Sequence, residues 1–321
     1  MTALSKERLR AAACAAAVAA AMVVLLVALS ALFLPKSGQQ AYGTTSVEGA
    51  GVLGEPDETV DVLFIGDSET YSAFSPLQMW ADHGFTSYVC ATGGQRLPYG
   101  NMLLHRATEA QKPKVVVIET NTIYAPFSAE EAAMRAAQDA LPVIEFHNRW
   151  KEAFPGPKNL KAPEAWSTEF KGYYLNKDVK AGDASRHMEK SDRVEEIPAL
   201  NRQYLQSMVD YCKQIGAKPI LASTPSTVNW NAARHNGIQQ FAKEAGVEYI
   251  DLNTGQSKID IDWNADTRDG GDHLNHSGAT KVSAWIGKHL AETYKLPDHR
   301  GDKSYSSWND ALALYQERIK E

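Results

Sequence analysis

One serine follows a short apolar run in a pattern suited to acyl-transfer chemistry. In the segment VDVLFIGDSETYSAFSP, Ser68 comes directly after Gly66 and Asp67, where an apolar strand should turn toward a helix. Such a turn presents the hydroxyl at the carboxyl edge of a parallel sheet, where open α/β folds bind ligands. Ser68 is therefore our candidate nucleophile. The same three residues would also suit a simple helix cap.

A polar segment near the C-terminus contains the base that a serine nucleophile needs. The segment DGGDHLNHSGATKV places His273 close to Asp269 and Asp272. A serine hydroxyl attacks poorly until a base takes its proton, and an imidazole held by a carboxylate commonly does so. A loop after the last strand can reach the same sheet edge as the first strand. We therefore predict His273 as the base, with His276, at the expected start of a helix, as the rival.

Four short blocks, taken in chain order, resemble those of the SGNH/GDSL hydrolases. They lie within about residues 59–294 and comprise GDSE at 66–69, Gly93 with Gly94, Asn121 after the third predicted strand, and DHLN at 272–275. The resemblance implies that Ser68 is the nucleophile and that an Asp and His273 complete a triad. It also implies an oxyanion hole formed by the Ser68 amide, a Gly93 or Gly94 amide and the Asn121 side chain. Each such donor is worth about 3 to 4 kcal/mol in acyl transfer.

The chain departs from the family pattern at two of these blocks. The usual GxND block reads ETN, which brings Glu119 close to the asparagine. The family places its aspartate three residues before the histidine, where this chain has Gly270. Adjacent residues rarely aim their side chains at each other, which favours Asp269, whereas a shorter loop would favour Asp272. Both aspartates remain candidates for the acid.

The elements that must position these residues alternate regularly from Thr59 onward. Apolar runs of strand length occur at 60–65, 87–90, 115–119, 219–223 and 247–252. Most are continuously apolar, as expected for strands buried on both faces of a parallel sheet. Amphipathic helical patterns lie between and after them, at 76–83, 99–111, 198–215, 230–245 and 277–294. This alternation predicts an α/β fold, a doubly wound three-layer sandwich with a parallel five-stranded sheet of the SGNH or flavodoxin-like type.

Two regions lie outside this rhythm. Residues 128–194 form an insertion in the predicted hydrolase domain 59–296, and loops of that length are commonly lids or binding elements. A surface embellishment is the alternative. The tail 297–321 is predicted to pack on the domain as an extra helix, with binding to a partner as the alternative.

The N-terminus predicts a membrane anchor. Residues 11–34 contain no charge, and a helix of that length spans roughly 36 Å at about 1.5 Å per residue, enough to cross the hydrocarbon core. Lys6, Arg8 and Arg10 precede it, which favours a cytoplasmic segment 1–10, a transmembrane signal anchor 11–35 and an extracellular catalytic domain after a linker at 36–58. A cleaved signal peptide is the alternative.

Composition narrows the classes of partner and cofactor. The formal net charge of −6 gives no global basic surface, so nucleic acid is not expected as a partner. The sequence has no HExxH spacing and no Gly-rich phosphate loop after a strand, so we predict neither a metal nor a cofactor. Cys90 and Cys212 could pair outside the cell, although buried thiols are favoured in a domain of this size.

The layout of anchor, GDS strand, insertion and DHLN block is similar to membrane-anchored extracellular members of the SGNH superfamily, such as the D-alanyl-lipoteichoic acid transfer protein and alginate O-acetylation protein types. That similarity implies an esterase or O-acyltransferase that acts through an acyl-serine on a cell-envelope glycan or teichoic-acid-like polymer, beside a membrane-bound acyl exporter. The alternative is a noncatalytic envelope protein that binds glycan or scaffolds an export complex. Five aromatic residues could contact the substrate or simply pack: Tyr124, Tyr173, Tyr174, Trp230 and Trp263.

Overall fold

The computed structural model describes residues 3–34, 47–153 and 169–321. The chain forms two compact units, one from residues 1–45 and 130–165 and the other from residues 46–129 and 166–321. The expected linker therefore lies partly outside the described residues, at 35–46, and so does part of the insertion, at 154–168.

The larger unit is built on a parallel sheet of five strands in the order β2-β1-β3-β4-β5. The strands are β1 (Val62–Gly66), β2 (Ser87–Ala91), β3 (Val115–Glu119), β4 (Lys218–Ser223) and β5 (Glu248–Asp251). At their carboxyl ends Gly66 pairs with Ala91, and Glu119 pairs with Ala222. The segments that follow these strands therefore begin at one common edge. This confirms the predicted parallel α/β fold.

Helices cover both faces of the sheet. In chain order they are α2 (Val47–Ala50), α3 (Ser68–Ala73), α4 (Pro76–His83), α5 (Leu97–Ala110), α6 (Asn121–Tyr124), α9 (Ala199–Gln214), α10 (Ala232–Ala245), α11 (His276–Tyr294) and α12 (Ser306–Arg318). Leu63 and Ile65 belong to one core with residues of α5, α9 and α10. Val62 and Phe64 belong to a second core with residues of α3, α4 and α11. Burial of alternate residues on opposite faces produces three layers.

Segments at both ends of the larger unit add to its packing. Val52, which lies in the segment expected to be a linker, is fully buried in the core with α5. Helix α12 buries Trp308 and Tyr315 against Trp80 of α4, and the two tryptophan rings lie 5.5 Å apart. The tail at 297–321 thus packs on the domain. Cys90 and Cys212 are buried free thiols.

The smaller unit contains a long N-terminal helix and the first part of the insertion. Its elements are α1 (Ala3–Phe33), α7 (Ala129–Ala140), α8 (Val143–Phe146) and a 3-10 helix (His147–Ala153). The Ser30 hydroxyl accepts the Val143 N–H, and the Phe33 carbonyl accepts a hydrogen bond from Arg149. Helix α1 is long and apolar enough to cross a membrane, a test that an N-terminal signal sequence also passes.

Candidate active site

Ser68, His273 and Asp269 form a continuous chain of hydrogen bonds. Ser68 is the first residue of α3, and the Asp67 carboxylate caps that helix by accepting the Glu69 N–H. The Ser68 hydroxyl lies 2.7 Å from His273 Nε2. His273 Nδ1 lies 2.6 Å from Asp269 Oδ2. Because an ionised carboxylate only accepts, Nδ1 carries the proton and Nε2 is left to accept the serine proton.

Of the two candidate aspartates, the structure brings Asp269, the one further from His273 in sequence, to the imidazole. Asp269 also accepts the His273 backbone N–H at 2.8 Å, whereas Asp272 Oδ2 lies 3.6 Å from Nδ1. Gly270 and Gly271 lie between them with φ of 94° and 92°, a conformation that glycine adopts without strain. Partial burial works to raise the pKa of Asp269, but the hydrogen bonds from His273 outweigh it and the pKa is lowered. Asp269 is therefore the carboxylate that stays ionised beside the imidazole.

The residues expected to form an oxyanion hole lie in the turns after the strands that flank β1. Asn121 begins α6 directly after β3, and its Nδ2 donates to Asp67 Oδ2 at 2.8 Å. Gly93 and Gly94 follow β2, and a Cβ atom at Gly93 would lie 3.8 Å from the Tyr71 hydroxyl. These turns border the Ser68 turn on both sides because β2, β1 and β3 are neighbours in the sheet.

Three buried carboxyl groups lie beneath this edge. Burial raises the pKa of Glu119 to about 8 and that of Glu69 well above its usual range. Burial also raises the pKa of Asp67, although the Glu69 N–H and Asn121 stabilise its charged form. Glu69 Oε1 accepts from Asn229, whereas its buried Oε2 has no hydrogen-bond partner among the described residues. Burial thus favours the protonated form of both Glu69 and Glu119.

One group of side chains has the composition of a metal site. Glu69, Asp272 and His273 each place one ligand atom within 4.8 Å of the others. However, both ring nitrogens of His273 are already engaged by Asp269 and Ser68. A metal ion here would have to displace one of those hydrogen bonds.

The rival base and most of the aromatic candidates are buried or engaged with other side chains. His276 is the first residue of α11, and its Nδ1 lies 3.4 Å from the Tyr173 hydroxyl. Tyr124, Tyr173 and Trp230 are buried, and Trp263 packs edge-on against His187. Tyr174, by contrast, is 47% exposed and packs edge-on against Tyr71, three residues after Ser68. Among the five aromatic candidates, Tyr174 is the one with both exposure and proximity to the serine turn.

Two residues that the sequence did not single out complete the buried side of the site. Asn229 Nδ2 donates to both Glu69 and Asp272, and Arg234 Nη1 donates to Asn121 Oδ1 at 3.2 Å. Both follow β4 in the segment NWNAARHN, which opens α10. Their place after a predicted strand was the available signal, because every such turn starts at the same sheet edge.

Comparisons with known proteins add little beyond this geometry. A family model described as a domain of unknown function (DUF362) matches residues 187–278, and no curated protein matches the chain. Among solved structures, a protein described as an acylhydrolase from Bacteroides fragilis is 15% identical, with a TM-score of 0.40, over 78% of this chain and 97% of that one. The lipase/acylhydrolase from Enterococcus faecalis is 11% identical, with a TM-score of 0.39, over 74% and 98% of the two chains.

A GDSL-like lipase from Bacteroides thetaiotaomicron is 13% identical, with a TM-score of 0.37, over 72% of this chain and 88% of that one. The GDSL-like lipase from Bacteroides thetaiotaomicron and a lipolytic protein from Desulfitobacterium hafniense are described as GDSL proteins. Likeness at such low identity and TM-score does not carry an assignment of function. The assignment rests on the hydrogen-bonded side chains at the sheet edge.

Proposed function

We propose that this protein is a membrane-tethered serine esterase or O-acyltransferase of the SGNH/GDSL type. The observation that carries the proposal is the chain of two hydrogen bonds, 2.7 Å from Ser68 Oγ to His273 Nε2 and 2.6 Å from His273 Nδ1 to Asp269. An imidazole oriented by a carboxylate and bonded to a serine hydroxyl is the arrangement that activates serine for attack on an ester carbonyl. A protein that only bound glycan or scaffolded a complex would not need it.

In the proposed reaction, His273 takes the Ser68 proton as Oγ attacks the acyl carbon. The resulting imidazolium is stabilised by ionised Asp269, and it then protonates the leaving alcohol as the ester bond breaks. Water or an acceptor hydroxyl next attacks the acyl-serine and gives its proton to His273. The imidazolium then protonates Ser68 Oγ as the acyl–serine bond breaks, which restores the free enzyme. Asn121 Nδ2, an amide of Gly93 or Gly94 and the Ser68 amide are the proposed donors to the carbonyl oxygen as it becomes negative.

The anchor and its flanking charges support the proposed location. The uncharged stretch 11–34 of α1 is preceded by Lys6, Arg8 and Arg10, which favours an N-terminus in the cytoplasm and a catalytic domain outside the cell. We therefore propose an acetyl or similar ester on a cell-envelope glycan or teichoic-acid-like polymer as the substrate. For a transferase, a membrane-bound acyl exporter would be the partner that supplies the acyl group.

Covalent labelling of the full-length chain in detergent tests the proposal. A fluorophosphonate should modify Ser68, as detected by peptide mass spectrometry, and p-nitrophenyl acetate should be hydrolysed. Ser68→Ala should lose both activities. Ser277→Ala is the matched control, because its hydroxyl donates to Asp266 rather than to the triad, and it should keep both. A folded chain that remains unlabelled, or equal labelling of Ser68→Ala, would contradict the proposal.

A further inference from the structure

The side-chain amide of Asn121 is held at both of its ends. Its Nδ2 donates to Asp67 Oδ2 at 2.8 Å, and its Oδ1 accepts from Arg234 Nη1 at 3.2 Å. The Asn121 backbone N–H donates to Glu119 Oε2 at 2.9 Å, which also fixes the main chain at this point. The amide group therefore has one orientation that satisfies its neighbours.

The reverse orientation of this amide is excluded by its two partners. If the amide were flipped, its oxygen would face the Asp67 carboxyl group and its NH2 group would face the Arg234 guanidinium. A guanidinium can only donate, so donor would meet donor at one end. In the observed orientation, Nδ2 gives one hydrogen to Asp67 and keeps a second N–H free of that bond.

Arg234 is itself rigidly placed. The Asn231 side chain accepts the Arg234 backbone N–H at the start of α10. Arg234 Nε donates to Glu195 at 3.1 Å, and Nη1 also donates to the Asn229 carbonyl at 2.8 Å. The guanidinium lies 4.8 Å from the centre of the Tyr124 ring. These contacts fix the guanidinium plane, so its position does not depend on Asn121.

We propose that Arg234 is a positioning residue for the oxyanion hole, which holds the Asn121 amide so that its second Nδ2–H points to the developing negative oxygen. The proposal rests on the proposed function, because it assigns Asn121 a role in acyl transfer. Arg234 also polarises the amide by bonding to its oxygen, and hydrogen bonds in such chains strengthen one another. Through this polarisation, Arg234 makes the Asn121 Nδ2–H a stronger donor to the oxyanion.

Turnover of p-nitrophenyl acetate by the full-length chain gives the first test. Loss of one oxyanion donor lowers kcat by about 10²- to 10³-fold, so Asn121→Ala should fall in that range. Arg234→Met should lower kcat by about 10- to 100-fold, with KM changed less than about 3-fold, because its effect appears in the transition state. Arg234→Lys, which keeps a charged donor, should recover part of the loss.

Two further variants separate positioning from a general structural role. Arg202→Met is the matched control, because Arg202 pairs with Glu244 at the surface and not with Asn121, so kcat should stay within about 3-fold. In the Asn121→Ala background, Arg234→Met should cause no further loss, because its effect passes through the missing amide. A loss equal to that in the wild-type background, or an equal loss in Arg202→Met, would overturn the proposal.

A measurement that needs no turnover keeps this test separate from the proposed function. In NMR spectra of the chain labelled with 15N at asparagine side chains, the Asn121 signal is identified by its absence in Asn121→Ala. Arg234→Met should shift or broaden it, and the surface variant Arg202→Met should not. An unchanged signal in Arg234→Met would overturn the positioning role. A wild-type chain without Ser68-dependent turnover would instead contradict the proposed function, whichever way the NMR comparison comes out.

Discussion

Carboxyl groups on the two sides of Ser68 have pKa values shifted in opposite directions. On the solvent side, Asp269 is 36% exposed and hydrogen-bonded to His273, and its pKa is lowered. On the buried side, Glu119 and Glu69 are each 1% exposed, and burial raises their pKa values. The same chemical group is therefore a charged partner on one side of the nucleophile and a neutral acid on the other.

This difference shows how an acid-rich site can accommodate a negative transition state. Several ionised carboxylates close to the developing oxyanion would repel it. Burial prevents this, because removing a carboxylate from water favours its protonated form. The charge that Asp269 keeps beside His273 lies where an imidazolium forms and can be stabilised. Different environments thus give similar carboxyl groups different pKa values and therefore different roles.

The largest expected effect comes from removing the charge of Asp269 on the solvent side of Ser68. Asp269→Asn should lower kcat by about 10³- to 10⁴-fold, because the amide neither stabilises an imidazolium nor enforces the required tautomer. Asp272→Asn is the matched variant on the same loop and should cost less than about 10-fold, since its carboxylate lies 3.6 Å from Nδ1. Ester hydrolysis under saturating substrate measures both. An equal loss in the two variants would show that His273 is not oriented by Asp269 alone.

A smaller effect is expected on folding stability, from the buried carboxyl group of Glu119. The pKa of Glu119 is about 8 in the folded chain and near 4.5 for an unperturbed glutamate. Between pH 4.5 and about 8 the folded chain keeps a proton that the unfolded chain releases. The stabilising contribution of this residue is therefore fully present below pH 4.5 and is lost as the pH rises to about 8. Glu119→Gln should remove this loss. Its melting temperature should match that of the wild type near pH 5 and exceed it near pH 9.

Glu58→Gln provides the control for that measurement, because the Glu58 side chain is 58% exposed in a surface ion pair with Lys112. Its melting temperature should follow that of the wild type across the whole pH range. If Glu119→Gln also follows the wild type at every pH, the buried carboxyl group is not held protonated.

The smallest effect is expected at Glu69. Burial raises the pKa of Glu69 well above its usual range and so favours its neutral form. Glu69→Gln is also neutral, has the same shape and keeps an oxygen for the Asn229 amide. The free energy of unfolding at pH 7 should change by less than about 1.5 kcal/mol. Glu69→Ala should cost more, since it leaves a cavity and an unpaired Asn229 donor. Chemical denaturation measures both, and equal losses would contradict a neutral Glu69.

Much of the fold could be predicted because its signals are local. Strand β3 at Val115–Glu119 and helix α4 at Pro76–His83 have the predicted bounds, since a continuous apolar run and a capped amphipathic stretch are both readable within a few residues. Strand β1 begins at Val62 rather than at Val60. The reason is a contact from another segment, because the Val60 N–H donates to the Gln111 side chain instead of joining the sheet.

Part of the candidate site could also be predicted, because several of its residues directly follow predicted strands. Residue order was enough to predict that Ser68, Asn121 and His273 follow strands of one parallel sheet, and hence that they start from one edge. The hydrogen bond from the imidazole to Asp269 rather than to Asp272, and that from Arg234 to Asn121, became visible in the folded chain. Folding also sets which carboxyl groups keep their protons. Hydrogen bonds between segments as far apart as Ser68 and His273, and burial from water, depend on distances that residue order does not contain.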